Sequence, residues 1–229
     1  MAHRYQVRTG DMLAEIARDS YGTAPLTRKL ADYNGITNPN LLRVGEYLEL
    51  PARLVLAPPA AVPAASGALQ PPHSLEGIIA TFGDIRRHIR DDGHLNPAWE
   101  TGHLATAPIP FAIPLSWDRT RRVQGIYCHK LLAPLVSDLF RAIQQEGLQE
   151  QITTFGGCFN CRPKRQSNKL STHSWGIAID LNPETNRQGS PGDMSGELVA
   201  LFKRYGFAWG GTWSGRNKDP MHFQFCTGY

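Results

Sequence analysis

Apolar and polar positions divide this chain into two patterned stretches around one that has no pattern. In YQVRTGDMLAEIARDSYG, Tyr5 and Val7 alternate with polar neighbours as in a short strand, and Thr9 to Asp11 supply a turn. Leu13, Ile16 and Ala17 then recur at the spacing of one helix face. Leu26 to Tyr33 predicts a second helix ended by Asn34 and Gly35, and Gly45 to Leu50 predicts a returning strand. Residues 1–51 therefore form a small βααβ unit.

From residue 52 to 72 the composition turns to Ala and Pro, and Pro58, Pro59, Pro63, Pro71 and Pro72 interrupt any helix. Such a stretch is a semi-extended linker. The pattern returns over residues 73–229, a second domain. Ile78 to Ile89 suits a helix, and the run from Pro108 to Pro114 suggests an irregular or edge segment. His129 to Gln145 predicts an amphipathic helix with Leu131, Leu132, Leu135, Val136, Leu139 and Ile143 on one face, Pro134 in its first turns and Gly147 at its end. Leu198, Leu201, Phe202 and Tyr205 mark a short helix closed by Gly206, and the polar stretch from Asn182 to Gly192 is a loop.

Composition changes this picture little. With 229 residues and 41% hydrophobic content the chain has a globular core, and its net charge of +4 arises after residue 51. A moderately basic domain suits an anionic polymer. No recognition helix or basic-aromatic pattern points to nucleic acid. MAHRYQVRTGD has no apolar run like a secretory signal, and no stretch has transmembrane length. The expectation is a monomer made in the cytoplasm, without membrane insertion, whose route to any extracytoplasmic target is supplied by something else. Cys158 and Cys161 form one CxxC, while Cys128 and Cys226 are isolated. A structural zinc would need all four to converge; a redox pair and plain buried thiols are the alternatives.

Two short motifs carry the chemistry, LSTHSWGIAID at Leu170 to Asp180 and DPMHFQF at Asp219 to Phe225. They offer two imidazoles and two carboxylates in apolar, Gly- and Trp-rich surroundings. A catalytic zinc takes three protein ligands and keeps one position open, and two neutral imidazoles with one carboxylate suit it. His173, Asp180 and His222 are the candidate ligands, and Asp219 is left to move protons. Seven extended residues span roughly 23 Å, so the chain must fold back between His173 and Asp180, with Ser174, Trp175 and Gly176 as the bend. Gly176 to Leu181 then reads as a strand with Ile177, Ile179 and Leu181 on one face. His222 projects from the polar face of a strand in which Met221, Phe223 and Phe225 alternate with it, and Pro220 sets Asp219 just before the paired part. Structural alternatives stand beside each role: Asp219 as a turn residue or as a partner orienting His222, and Arg162 as a surface ion-pair residue beside Lys164 and Arg165.

The SxHxxGxAxD pattern from Ser171 to Asp180, with an acid three positions before a second His, resembles the zinc D,D-peptidases of bacterial cell walls. These include VanY-like D-alanyl-D-alanine carboxypeptidases, VanX-like dipeptidases and phage L-alanyl-D-glutamate endopeptidases. The resemblance covers roughly Ile78 to Phe225 and implies an α+β, hedgehog/D,D-peptidase-like domain whose antiparallel sheet carries the ligands. It implies Zn2+ held by His173, Asp180 and His222, Asp219 as general base, Arg162 steadying the oxyanion and Ser171 binding near zinc and substrate. Two positions depart from the pattern: Thr212 stands in AWGGTW where WGGDW is usual, and Gln224 in MHFQ where MHFE is common.

The first unit resembles a LysM domain across its whole length, with Glu46 where Gln is usual. That resemblance implies a groove for N-acetylglucosamine-containing glycan, lined by Gly10, Asp11, Met12 and Leu13 on one side and Asn38, Pro39, Asn40 and Leu41 on the other. Together the two resemblances imply a zinc peptidase acting on the stem peptide of peptidoglycan. An endolysin-like L-alanyl-D-glutamate endopeptidase, released by a holin, delivered by phage or secreted, is favoured over a D-alanyl-D-alanine carboxypeptidase. A non-catalytic wall-binding or phage-particle component is the rival, and an effector delivered into competing bacteria a third reading.

Overall fold

The structure is a computed structural model, and it describes residues 3–21, 26–51, 69–164 and 167–229. The chain divides into two compact units, the first within Met1–Ala61 and the second from Val62 onward.

In the first unit, β1 (His3–Gln6) pairs antiparallel with β2 (Tyr47–Leu50) and the helices α1 (Leu13–Tyr21) and α2 (Thr27–Tyr33) lie between them in sequence. This is the expected βααβ order. Leu13, Ile16, Ala17, Leu30, Ala31, Leu48 and Leu50 form its core with Val7. Asn34 explains why α2 stops where it does. Its side-chain amide donates to the Leu30 and Glu49 carbonyls at 2.9 and 3.0 Å, and its oxygen accepts from Glu49 N–H at 2.7 Å. One side chain thus satisfies the open helix end and ties it to β2.

In the second unit, helices α3 (Ser74–Phe82), α4 (Pro97–His103), α5 (Ala133–Gln145) and α6 (Gly196–Arg204) accompany two sheets. One is a ribbon of β3 (Leu104–Pro114) and β4 (Arg122–His129). The other has four antiparallel strands in the order β5 (Phe155–Gly157), β6 (Ala178–Leu181), β8 (His222–Gln224), β7 (Ala208–Trp209). Apolar faces of α3, α5, α6 and the central strands share one core, in which Phe202 stacks on Phe223 with centroids 4.1 Å apart. The architecture is α+β with antiparallel sheets, as expected.

Two sequence expectations are corrected. The helix expected from His129 begins at Ala133, because β4 runs through His129 and the chain turns before Pro134. Leu131 falls in that turn and is exposed, so it leaves the apolar face. The expected helix from Ile78 breaks at Gly83, and Ile85–His88 is a single 3-10 turn capped by Asp84, whose carboxylate accepts from Arg86 N–H. The proline run is an irregular edge strand, as expected: Pro108 pairs with Gly125 and Pro114 with Arg122, with a register shift between Pro108 and Ile113. A two-stranded ribbon tolerates residues without an N–H because each strand keeps an open edge. Residues 52–68 of the expected linker lie outside the described residues, while Leu69 packs on the core and Pro72 accepts from Thr227 N–H at 2.9 Å.

His129 ties α3 to the turn that follows β4. Its Nε2–H donates to the Phe82 carbonyl at 3.1 Å and its Nδ1 accepts from Leu131 N–H at 3.3 Å, an arrangement that only the neutral ring satisfies. Burial pushes its pKa down to about 4. The unfolded chain takes up this proton near pH 6.5, so the contribution is complete above that pH and is lost as pH falls toward 4. Acidifying from pH 7 to 4.5 is expected to cost the unit about 2–3 kcal/mol through this residue. Denaturation midpoints of wild type and His129→Gln measure it; an equally steep fall in the variant would contradict it.

Candidate metal centre

The chain reverses between His173 and Asp180 by a single 3-10 turn. Ser171 caps Thr172–Trp175 by accepting from His173 N–H at 3.3 Å, and Gly176 ends the turn at a φ of 66°. A Cβ on Gly176 would stand 2.9 Å from His129 N, so both backbone conformation and space demand glycine there. The strand expected from Gly176 starts instead at Ala178, and Ile177, Ile179 and Leu181 are buried together as expected. Asp180 is the direct cross-strand partner of His222 in the β6–β8 ladder. Sheet register therefore places these two side chains together.

The three candidate ligands converge. His173 Nε2 lies 3.2 Å from Asp180 Oδ2 and 3.2 Å from His222 Nδ1, and His222 Nδ1 lies 2.9 Å from Asp180 Oδ1. Among the described residues this is the one His/Cys/Asp/Glu group close enough to hold a metal ion. Ligands 2.0–2.1 Å from a tetrahedral zinc stand about 3.3 Å from one another, which is close to the spacing found.

The other ring nitrogens have partners that suit metal-bound rings. His173 Nδ1 lies 2.7 Å from the Cys158 carbonyl, which only accepts, so Nδ1 carries a hydrogen and Nε2 is the nitrogen that faces Asp180 and His222. Gln224 Nε2 donates to the Cys226 carbonyl at 3.4 Å, which turns Gln224 Oε1 toward His222 Nε2 at 3.2 Å. Thr172 Oγ donates to the same Oε1 at 3.3 Å. With a metal at this point, His222 would keep its hydrogen on Nε2 and present Nδ1. Two imine lone pairs and one carboxylate facing a common point fit zinc.

Burial works to raise the Asp180 carboxyl, but the facing His173 and His222 hold it well below the usual carboxylate range. For His222, burial opposes the charged ring, while the bond to Asp180 and the charges of Asp180 and Asp219 outweigh it and raise its pKa. Asp219 thus lies near enough for its charge to act at the centre.

A cavity of about 690 Å³ opens on this centre, lined by all three ligands together with Arg162, Ser171 and Asp219. Every residue expected at the peptidase site is on its wall. Ser171 is also the cap of the His173 turn. Trp213 lies beside the His222 ring with centroids 5.5 Å apart and lines the cavity, whereas Trp209 donates to the Pro220 carbonyl at 2.7 Å and packs toward Phe223. Gly210 allows this turn to approach: a Cβ there would meet the Asp219 carbonyl oxygen at 2.5 Å. Thr212 lines the cavity and bonds back to the Trp209 carbonyl at 2.8 Å.

Sequence reasoning missed the partners of the imidazoles. Gln224 was read as a departure from pattern, yet its Oε1 faces His222 Nε2 at 3.2 Å; its alternation with His222 was the available signal. The Cys158 carbonyl is a backbone atom and had none. Gln224→Ala is expected to weaken zinc binding about 10- to 100-fold, measured by competition with a chelator, and unchanged affinity would contradict this role. All four cysteines are free of disulfides, Cys128, Cys158 and Cys226 buried, and among the described residues they form no group close enough to hold a metal. Burial pushes Cys128 and Cys226 up to about 12.

In the first unit, Leu13 is fully buried, Asp11 accepts from Tyr5 O–H and Arg8 N–H at 2.9 and 2.8 Å, and Asn38 Oδ1 accepts from Asn40 N–H at 3.1 Å. Gly10, Met12, Asn38, Asn40 and Leu41 are exposed and Pro39 is partly so. Of the eight expected groove residues, Leu13 has no side chain to offer a glycan.

Fold and site define a two-unit protein with a His-Asp-His metal centre in an open cavity. Comparison with known families agrees with the order of its parts: residues 5–51 match the LysM domain, and residues 165–225 match the family described as D-alanyl-D-alanine carboxypeptidase. The two matches stand in the order LysM first, D-alanyl-D-alanine carboxypeptidase family second. A protein of Deinococcus radiodurans, described as uncharacterized, is 43% identical over 47 residues, which are 20% of this chain and 19% of that protein. The chain thus spans about a fifth of the length of this relative. No helix among the described residues is long and apolar enough to cross a membrane.

Proposed function

We propose that the chain is a zinc-dependent peptidase, with a hedgehog/D,D-peptidase-like catalytic domain, that hydrolyses the stem peptide of peptidoglycan. The observation that carries this is the convergence of His173 Nε2, His222 Nδ1 and Asp180 on one point at the wall of an open cavity. Zinc held by these residues would polarise the scissile carbonyl and bring the pKa of a water toward neutrality. Asp219 takes the proton of the attacking water and delivers it to the leaving amine. Arg162, on the same wall, offers its guanidinium to the oxygen on which negative charge develops. Ser171 holds the His173 turn and presents its edge to the substrate.

The LysM unit binds N-acetylglucosamine-containing glycan through Gly10, Asp11, Met12, Asn38, Pro39, Asn40, Leu41 and the Leu13 backbone. Tethering then raises the concentration of the catalytic domain at the wall.

The bond assigned is L-alanyl-D-glutamate, as in an endolysin acting after holin-type release, phage delivery or secretion. The description of the family matched by residues 165–225 favours D-alanyl-D-alanine carboxypeptidase as the second reading. Defined stem peptides separate them: cleavage that exposes a D-glutamate amino terminus supports the first, and release of free D-alanine the second. A zinc-loaded protein that cuts neither peptide contradicts both.

A further inference from the structure

The cavity wall holds a cation that the roles above leave unused. Lys164 follows Pro163, which bridges to Leu170; its N–H donates to the Lys169 carbonyl at 2.8 Å, and Ser171 N–H donates to the Arg162 carbonyl at 2.9 Å. Its ammonium lies 3.9 Å over the Tyr229 ring. Tyr229 is itself fixed: its hydroxyl donates to the Leu170 carbonyl at 2.8 Å, and its ring meets buried Trp175 edge-on. Lys164 and Tyr229 both line the cavity that holds His173, Asp180 and His222.

This ammonium is half-buried and short of an anion. Among the described residues no carboxylate side chain forms an ion pair with it, and Cys226, whose charge would favour it, is held as a neutral thiol by burial. Burial of Lys164 disfavours its charged form and lowers its pKa. The ring beneath it orients the charge without neutralising it. A carboxylate arriving from the cavity would supply the missing partner in a charge-assisted hydrogen bond.

We propose that Lys164, seated on Tyr229, binds a carboxylate of the peptide near the bond that is cut and so selects acidic over amidated substrates. The inference rests on the peptidase reading above. Two groups of a stem peptide share this chemistry, the carboxylate at its C-terminus and the free carboxylate of its D-glutamate. Lys164 is on this account a binding residue distinct from Arg162, which serves the oxyanion.

The test uses zinc-loaded full-length protein and two pairs of synthetic peptides, one pair differing by carboxylate or carboxamide at the C-terminus and the other at D-glutamate. For each pair, kcat/KM and calorimetric Kd are measured with wild type, Lys164→Met and Lys164→Arg. Wild type is expected to prefer the carboxylate of one pair by about 10- to 100-fold, the range of one charged hydrogen bond. That pair identifies the carboxylate. Lys164→Met, which keeps the apolar stem over Tyr229, is expected to bring the ratio within about twofold, and Lys164→Arg to restore part of it. Equal losses on carboxylate and amide peptides, which a structural role would give, overturn the proposal, as does a wild type indifferent to both pairs. If wild type cuts no peptide yet binds the carboxylate form with the same dependence on Lys164, hydrolysis fails and the carboxylate seat stands. Neither cleavage nor binding preference overturns both.

Discussion

Replacing Asp219 with Ala is expected to lower turnover about 10²- to 10⁴-fold, the usual contribution of a positioned general base, while leaving zinc bound. Both halves of the result follow from position. Asp219 lies on the cavity wall, and its charge acts on His222, but it is outside the triad whose atoms converge. Its backbone is held independently of its carboxylate, since Asp219 N–H donates to the Gly210 carbonyl at 2.9 Å and His222 N–H donates to the Asp219 carbonyl at 3.1 Å. The substitution should therefore leave the β8 entry and the His222 ring in place. Metal content by absorption spectroscopy and turnover on a defined peptide measure the two halves. Zinc lost together with activity would make Asp219 a positioning residue for His222, and retained turnover would move the base elsewhere.

Removing a ligand has the opposite signature. In His222→Ala the zinc affinity should fall on the order of 10²- to 10³-fold, taking roughly a third to a quarter of the about 10–16 kcal/mol typical of a protein zinc site, and activity should fall with it. Thermal denaturation gives a readout independent of turnover. Zinc at about 100 times its Kd stabilises a folded protein by about 2.7 kcal/mol, which for a domain of this size is a rise of roughly 5–10 °C. That rise should be present in wild type and absent from His222→Ala at the same zinc concentration. Without metal the variant should also be less stable than wild type, because Asp180 is buried between two imidazoles and loses one of them. An undiminished zinc-induced rise in the variant would remove His222 from the metal centre.

The parts of this site that were legible in the sequence are those written in local spacing. A bend at Ser174 to Gly176 was required by the reach of the chain, and a 3-10 turn closed by left-handed Gly176 supplies it. Alternation put Asp180 and His222 on the polar faces of their strands, and the ladder pairs them directly. The βααβ order of residues 5–51 was readable for the same reason, because alternation and helical spacing are local and Asn34 ends α2. What was not legible depends on contacts distant in sequence or on backbone atoms. The Cys158 carbonyl meets His173 Nδ1 from 15 residues away, and no side-chain pattern encodes a carbonyl. Lys164 meets Tyr229 only because the fold returns the C-terminal residue to the turn before the first motif. The helix expected from His129 shows the limit of periodicity: Leu131 and Leu132 fit either a helix face or a strand end, and pairing with Leu104 carried the strand through His129.

The central claim is hydrolysis, and it is tested most directly by incubating zinc-loaded and metal-stripped protein with purified peptidoglycan and identifying the released fragments by mass spectrometry. The account predicts stem-peptide cleavage products from the zinc-loaded protein, none from the stripped protein, and recovery when zinc is returned. A protein that binds zinc and peptidoglycan but releases no peptide or amino acid would contradict it.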